Sequence, residues 1–130
     1  MQKPLELILM RQLTGYLAMP ILIADAEGTL LFYNRPAEAI IGRSFAETGE
    51  LPLLDYMREV HLYDEDGFLI PPEERPLPVA MREHRATHRR LRIQGLDGRM
   101  RLVESTVLPL QGQGGRTLGG AVIFWELDQR

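Results

Sequence analysis

Apolar residues recur every three or four positions near the start of the chain. One stripe contains Leu5, Ile8, Leu9, Leu13, Tyr16 and Leu17, and a neighbouring stripe contains Leu7, Met10, Thr14 and again Leu17. This spacing predicts an amphipathic helix within residues 1–19, ended by Pro20. A helix that packs on one side needs a single stripe about 100° wide. The two stripes are therefore consistent with two packing partners, the helix's own domain and a second copy of the chain. They are also consistent with one wide apolar face packed against a single core.

The residues after Pro20 predict a β-hairpin followed by a helix. The apolar runs 21–24 and 29–33 flank Asp25-Ala26-Glu27-Gly28, and Asp at the first and Gly at the fourth position favour a turn. Asn34 is the predicted N-cap of the helix that follows, and Gly42 is its predicted C-terminal stop.

The rest of the chain predicts short helices and then three strands. Helices are expected at residues 51–60 and 76–84, with a loop or one helical turn at 44–50 and a turn between two short extended pieces at 61–72. Strands are expected at 87–94, 100–110 and 118–127, with Asp97-Gly98 as a hairpin turn. This order predicts an α+β fold with a five-stranded antiparallel sheet, flanked by short helices grouped between strands two and three.

Composition narrows the function classes. The length of 130 residues fits one domain. The absence of cysteine excludes disulfides, thiolate metal sites and thiol catalysis, and a net charge of −3 argues against nucleic-acid binding. No apolar stretch reaches the roughly 18–20 residues of a membrane span. Because the N-terminal segment also lacks the order of a signal peptide, we expect a cytoplasmic protein.

No catalytic or metal-binding constellation is visible. The histidines are His61, His84 and His88, and none lies in a metal-ligand motif on one predicted element. The acidic run 64–66 does not have the alternating spacing of a calcium loop, so we expect a solvated turn. We therefore expect no enzyme activity and no metal site.

Arginines concentrate between residues 82 and 101. They are Arg82, Arg85, Arg89, Arg90, Arg92, Arg99 and Arg101. Two interpretations stay open: a surface for an anionic group or acidic partner, or a solvated strand face balanced by neighbouring glutamates.

Three motifs in this order resemble the PAS domain family. They are the stretch 23–42 with its strand, turn, strand and capped helix, the helix Pro76-Leu77-Pro78-Val79-Ala80-Met81, and the last two strands from Asp97-Gly98-Arg99 to Gly119-Gly120-Ala121-Val122. The resemblance covers about residues 20–127. It implies an N-terminal amphipathic helix at 1–19, for dimerisation or capping, and a PAS-like sensor domain at 20–128.

The resemblance implies a sensory or regulatory module of a bacterial-type signal-transduction protein. Relatives often dimerise through an N-terminal helix, which makes Leu5, Ile8, Leu9, Leu13 and Tyr16 the predicted dimer residues. An effector domain or protein is the implied signalling partner. Relatives often end the last strand in a coupling triplet, for which Glu126-Leu127-Asp128 is an approximate counterpart. No output domain is expected within this length.

The resemblance also implies a cavity that binds haem, flavin, small carboxylates, fatty acids or nothing. The absence of cysteine excludes flavin chemistry through a cysteine adduct. His84 is the best-placed haem ligand, but its charged neighbours favour a surface histidine, so no cofactor is assigned. The residues implied to line the cavity are Ile23, Phe32, Ile40, Leu54, Met57, Val79, Met81, Leu102 and Ile123.

That set is wholly apolar, which favours an acyl or other apolar ligand over a dicarboxylate that would need a buried Arg or His. The alternative is that these side chains only fill the core. At the level of function, the alternative is a stand-alone binding protein for an acyl or aromatic compound, without an effector.

Overall fold

A computed structural model describes residues 4–127. The helices in this part are α1 (Leu5–Tyr16), α2 (Arg35–Ile41), α3 (Phe45–Thr48), α4 (Leu53–Glu59) and α5 (Pro76–Glu83). The strands are β1 (Ile21–Asp25), β2 (Thr29–Tyr33), β3 (Leu51–Pro52), β4 (His61–Tyr63), β5 (Thr87–Gln94), β6 (Met100–Gln111) and β7 (Thr117–Glu126). The outer limits of the predicted helix and domain segments, residues 1 and 128, lie outside the described residues.

The strands form one antiparallel sheet in the order β3-β2-β1-β7-β6-β5-β4. The predicted α+β class with short flanking helices is confirmed, and so are its five main strands. The sheet has two more strands than predicted, one at each edge. β3 and β4 are two and three residues long, too short for an alternating pattern to identify them.

The predicted hairpin and helix caps are confirmed. β1 and β2 pair across the Asp25–Gly28 turn, in which Asp25 Oδ1 accepts from the backbone N–H of Glu27 and Thr29. Gly42 ends α2 in the left-handed conformation at φ 95°. By contrast, α1 ends at Tyr16, well before Pro20, and α4 begins at Leu53 because the two residues before it pair with β2.

The sheet separates two apolar clusters. The main cluster lies on the inner face, where α2, α4 and α5 pack, and includes Leu22, Leu77, Val103 and Phe124. The smaller cluster lies on the outer face, where α1 packs. Its buried members are Leu7, Ile21, Ile23, Leu31 and Leu118. Each face of β1 is therefore covered, and all five of its residues are buried.

No helix within residues 4–127 is both long enough and apolar enough to cross a membrane.

Candidate functional site

A small cavity of about 60 Å³ lies between the inner face of the sheet and helices α4 and α5. Most of its wall is aliphatic or aromatic. The lining residues are Leu22, Leu53, Tyr56, Met57, Leu62, Arg75, Pro76, Leu77, Leu91, Ile93, Val103, Ser105, Val107, Val122 and Phe124. The cavity is smaller than the roughly 150 Å³ that holds a benzene molecule in an engineered core, so it suits only a very small ligand in this conformation.

Met57 is the residue that the sequence-predicted lining shares with this cavity. Ile23, Phe32 and Ile123 belong instead to the cluster on the outer face, under α1. Leu102 is also directed away from the cavity, because it alternates with the buried residues Arg101 and Val103 along β6.

The predicted lining residues on helices also lie elsewhere. Ile40 is buried in the main core without reaching the cavity, and Leu54 is exposed on α4. Val79 and Met81 are half-buried on α5, whereas Leu77 on the same helix lines the cavity.

The differences on the strands have a common physical cause. Successive side chains on a strand point to opposite faces, and both faces of this sheet are apolar. The apolar pattern therefore could not show which residues face inward. A bulge adds to the ambiguity: Ile23 pairs with Phe32 and Ala24 pairs with Leu30, so Leu31 lies between the paired positions on β2.

Arg75 is a buried cation in the cavity wall that the sequence analysis did not identify. It lies just before α5, and only 3% of its surface is exposed. Its Nη2 donates to the carbonyl oxygen of Met57 at 2.9 Å, while its Nε has no hydrogen-bond partner. Burial lowers the pKa of Arg75, partly offset by the coulombic effect of Tyr56.

Two further residues add polar atoms to the cavity wall. Ser105 is buried on β6 and lines the cavity, as does Tyr56 on α4. Burial raises the pKa of the Tyr56 phenol well above its ordinary value, so this phenol is neutral at physiological pH. The cavity therefore combines an apolar wall with one cation and two neutral hydroxyl groups.

Helix α1 has one face on the domain and one face in solvent. Leu7 is buried in the cluster on the outer face of the sheet, and Thr14 is also buried. On the opposite side, the predicted dimer residues carry large exposed fractions: Leu5 65%, Ile8 38%, Leu9 54%, Leu13 52% and Tyr16 88%. The helix is also held at its side by Arg11, whose guanidinium stacks on Phe32 and Phe45 at 5.1 and 5.6 Å.

Asn34 links α1 to the rest of the domain. Its Oδ1 accepts from the N–H of Ala37, as expected of an N-cap, and from the N–H of Ile21. Its Nδ2 donates to the carbonyl oxygens of Thr14 and Met19 at 3.1 and 2.7 Å, and to Leu17 at 3.4 Å. One buried amide therefore joins the end of α1, the start of β1 and the start of α2.

His84 and the β5 residues His88 and Arg90 form surface contacts. His84 ends α5 in the left-handed conformation, and its Nδ1 lies 3.0 Å from the Thr117 hydroxyl, away from the cavity lining. On β5, Arg90 bonds Glu104 at 2.8 Å and His88 lies 2.8 Å from the same carboxylate. No group of three His, Asp or Glu side chains within residues 4–127 could hold a metal ion.

Arg101 and Glu126 form part of a network behind α2. Arg101 is buried, donates to the carbonyl of Ile40 and pairs with Asp97 at 3.0 Å. Its Nε lies 3.5 Å from Glu126, a member of the predicted coupling triplet. Asp128, the last member of that triplet, lies outside the described residues.

Comparisons with known proteins agree with this α+β architecture. A profile described as the PAS fold matches residues 17–130. The structure is similar to the PAS domain of a protein from Colwellia psychrerythraea, with a TM-score of 0.67 and 18% identity, covering 95% of this chain and 98% of that one. No curated protein sequence matches significantly. The chain belongs to the PAS family, as the sequence motifs indicated.

Two further solved structures have the same fold. One is the PAS domain of BvgS from Bordetella pertussis, with a TM-score of 0.63, 21% identity and coverage of 96% of this chain and 87% of that one. The other is the PAS domain of nitrogen regulation protein NR(II) from Vibrio parahaemolyticus, with a TM-score of 0.63, 19% identity and coverage of 92% and 98%.

Proposed function

We propose that this PAS domain is a sensory module of a signalling protein, that it acts as a homodimer through the exposed face of α1, and that its cavity holds a small ligand with a largely apolar body. Membership of the PAS family supports the sensory role. A solved structure of similar fold is described as a PAS domain from a two-component sensor histidine kinase, with a TM-score of 0.61. An effector domain or protein is the signalling partner in this proposal.

The exposed apolar face of α1 carries the dimer part of the proposal. Leu9 and Leu13 are one helical turn apart and each has about half of its surface exposed. A second copy of the same helix can cover this uncharged stripe in a self-complementary interface, as two-fold dimers require. Asn34 links α1 to β1 and α2 by hydrogen bonds. A conformational change at the dimer interface can therefore be transmitted to the rest of the domain through these bonds.

Sedimentation equilibrium between micromolar and submillimolar concentrations tests this part. We expect a dimer for the unmodified chain and a weaker dimer for the double variant Leu9→Glu, Leu13→Glu. Each leucine still has half of its surface to bury, on the order of 1 kcal/mol each, and the new charges add a desolvation cost. Because both copies carry the two substitutions, four leucines are lost from the dimer, about 4 kcal/mol in total, and the dissociation constant should rise about a thousandfold.

Leu54→Glu is the matched control, because Leu54 is an equally exposed leucine on a different helix, with 61% of its surface exposed. This variant should sediment like the unmodified chain. A monomer at the highest concentration, or an equal effect of Leu54→Glu, would overturn the dimer proposal. A monomer that still binds ligand would favour the stand-alone binding protein instead.

A further inference from the structure

Strand β5 is paired along its whole length on one side but only partly on the other. β6 pairs with every residue of Thr87–Gln94. On the opposite side β4 pairs only with residues 92–94, and no other strand within residues 4–127 pairs there. Residues 87–91 therefore form an open sheet edge, to which an extended segment can add as a further strand.

The hydrogen-bond pattern identifies the backbone groups that face this open edge. The carbonyl oxygen of Leu62 on β4 accepts from the N–H of Ile70 at 2.8 Å, so it points away from β5. In an antiparallel pair, residues that point their backbone groups toward the partner strand alternate with residues that point them away. The next residue of β4 and its partner Arg92 therefore point toward each other. The same alternation along β5 directs the N–H and C=O groups of Arg90 and His88 to the open edge.

These two N–H and two C=O groups are available to a partner. None of them bonds another backbone or side-chain atom among the described residues 4–127. The side chains of His88 and Arg90 are 58% and 47% exposed, so neither residue is covered by the rest of the domain. A strand added at this edge would engage all four groups in the regular ladder of the sheet.

The side chains along the open edge carry an excess of positive charge. Arg89 is exposed and has no hydrogen bond or ion pair within the part of the chain that the structure describes. Its neighbours Arg90 and His88 share a single carboxylate, that of Glu104. Opposite charges across a strand pair stabilise the pair, and like charges destabilise it. A second copy of β5 would bring the same arginines together, whereas an acidic segment would be attracted.

The acidic turn at residues 64–66 sets where the charge of such a segment must lie. The carbonyl oxygen of Glu65 lies 3.5 Å from the Nε of Arg92, so this turn borders the paired end of β5. Carboxylates of an added strand would be repelled beside the turn and attracted beside Arg89. The acidic positions therefore belong beside residues 88–90.

We propose that the open edge of β5 is a docking site for an acidic, extended segment of a partner protein, which adds to the sheet as an extra strand. The backbone of the segment bonds His88 and Arg90, and one of its carboxylates pairs with Arg89. This docking site goes beyond the proposed function, because it depends neither on the α1 dimer nor on the cavity. Of the two interpretations of the arginine cluster, it favours the acidic partner for these residues.

Amide NMR of the full chain tests the proposal, with the acetylated and amidated peptide Thr-Glu-Val-Glu-Thr as the probe. We expect saturable shifts and slower hydrogen exchange at the amides of His88 and Arg90, because both become hydrogen-bonded. The amides of Arg89 and Leu91 already face β6, so their exchange should change less. Two control peptides, one with lysine in place of glutamate and one N-methylated along its backbone, should bind about tenfold more weakly or less.

Three variants separate the contributions of charge and backbone. Arg89→Glu should weaken binding of the acidic peptide about tenfold. Arg35→Glu is the matched control, because Arg35 is exposed on α2, and it should bind the peptide normally. Arg90→Pro removes an N–H that faces the open edge and leaves the β6 ladder intact. It should bind the peptide at least about fivefold more weakly than Arg90→Ala, which loses the side chain but keeps the N–H.

Several results would overturn the proposal. They are the absence of a saturable shift up to about 5 mM peptide, equal binding of the lysine or N-methylated peptide, and normal binding by Arg89→Glu. If circular dichroism shows that Arg90→Pro is unfolded, the N-methylated peptide makes the same backbone test on the unmodified chain.

Two other occupants of the edge are recognised by the same measurement. Tighter binding of a single-stranded DNA of five nucleotides at these amides would assign the edge to nucleic acid and overturn the proposal. Slower exchange at His88 and Arg90 that grows with protein concentration, without peptide, would assign it to a second copy, with the same consequence. The double variant Leu9→Glu, Leu13→Glu should bind the peptide normally, so the dimer and the docking site fail or stand separately.

Discussion

Two replacements of Asn34 separate the two contributions that this side chain makes to stability, one as a hydrogen-bond acceptor and one as a donor. The Oδ1 atom caps α2 through Ala37 and also accepts from Ile21, whereas Nδ2 donates to carbonyl oxygens at the end of α1 and in the segment after it. Asn34→Ala removes both functions. Asn34→Asp keeps the acceptor but replaces the donor with a second oxygen, which faces the carbonyls of Thr14 and Met19.

The contacts set the expected size of each effect. Loss of an N-cap costs about 1 kcal/mol, and each buried group left without a partner costs about 1–3 kcal/mol. We therefore expect Asn34→Ala to lower the free energy of unfolding by about 3–5 kcal/mol. Asn34→Asp should cost less, about 2–3 kcal/mol, because the cap is retained and a negative charge suits the start of a helix.

Urea denaturation with linear extrapolation measures the free energy of unfolding of both variants. Ser44→Ala is the control: Ser44 caps α3 through Glu47 at an exposed position, so its loss should cost only about 0.5–1 kcal/mol. Amide hydrogen exchange should show faster exchange in α1 for Asn34→Asp, with α2 unchanged. The reasoning is refuted if Asn34→Ala costs no more than Ser44→Ala, or if Asn34→Asp is as stable as the unmodified chain.

Two further predictions concern glycines and acid stability. A Cβ at Gly95 would lie 2.5 Å from the carbonyl oxygen of Ile40, so Gly95→Ala should destabilise the domain by about 1–3 kcal/mol in urea denaturation. Gly15→Ala has open space on α1 and should stabilise it by about 0.5–1 kcal/mol; equal effects of the two substitutions would contradict this account. The hydrogen bond from Arg101 holds the pKa of the Asp97 carboxyl in the folded state below its ordinary value of 3.8. The ionised carboxylate therefore stabilises the folded state fully at pH values above 3.8, and this stabilisation is lost as the pH falls through the lower folded pKa. The difference in melting temperature between the unmodified chain and Asp97→Asn should therefore narrow as the pH is lowered below about 4, and a constant difference would refute the assignment.

Local chemistry made several features predictable from the sequence. The turn at Asp25–Gly28, the Asn34 cap and the Gly42 stop depend on residues within a few positions of one another, so the sequence pattern contains the information. The exposed stripe of α1 is likewise a property of one helix. These features need no knowledge of which elements pack together.

The cavity depends on tertiary packing, and this is where the sequence-based expectations differ most from the structure. One face of β1 is covered by α1 and the other by the main core, so residues 21–24 form a continuous apolar run. The sequence pattern therefore could not show which face Leu22 and Ile23 occupy. Arg75 lies in a segment rich in proline and charge that resembles a solvated loop. Its burial results from α4 and the sheet, which are distant in sequence.

The position of β1 between β2 and β7 has a consequence for how the chain folds. Ile21 pairs with Ile123, about a hundred residues further along the chain. Leu118 also belongs to the cluster that buries α1. During synthesis α1 emerges first, but its packing surface is incomplete until the last strand has been made. Such long-range closure is slow compared with local helix formation, so α1 should dock only in a late step of folding.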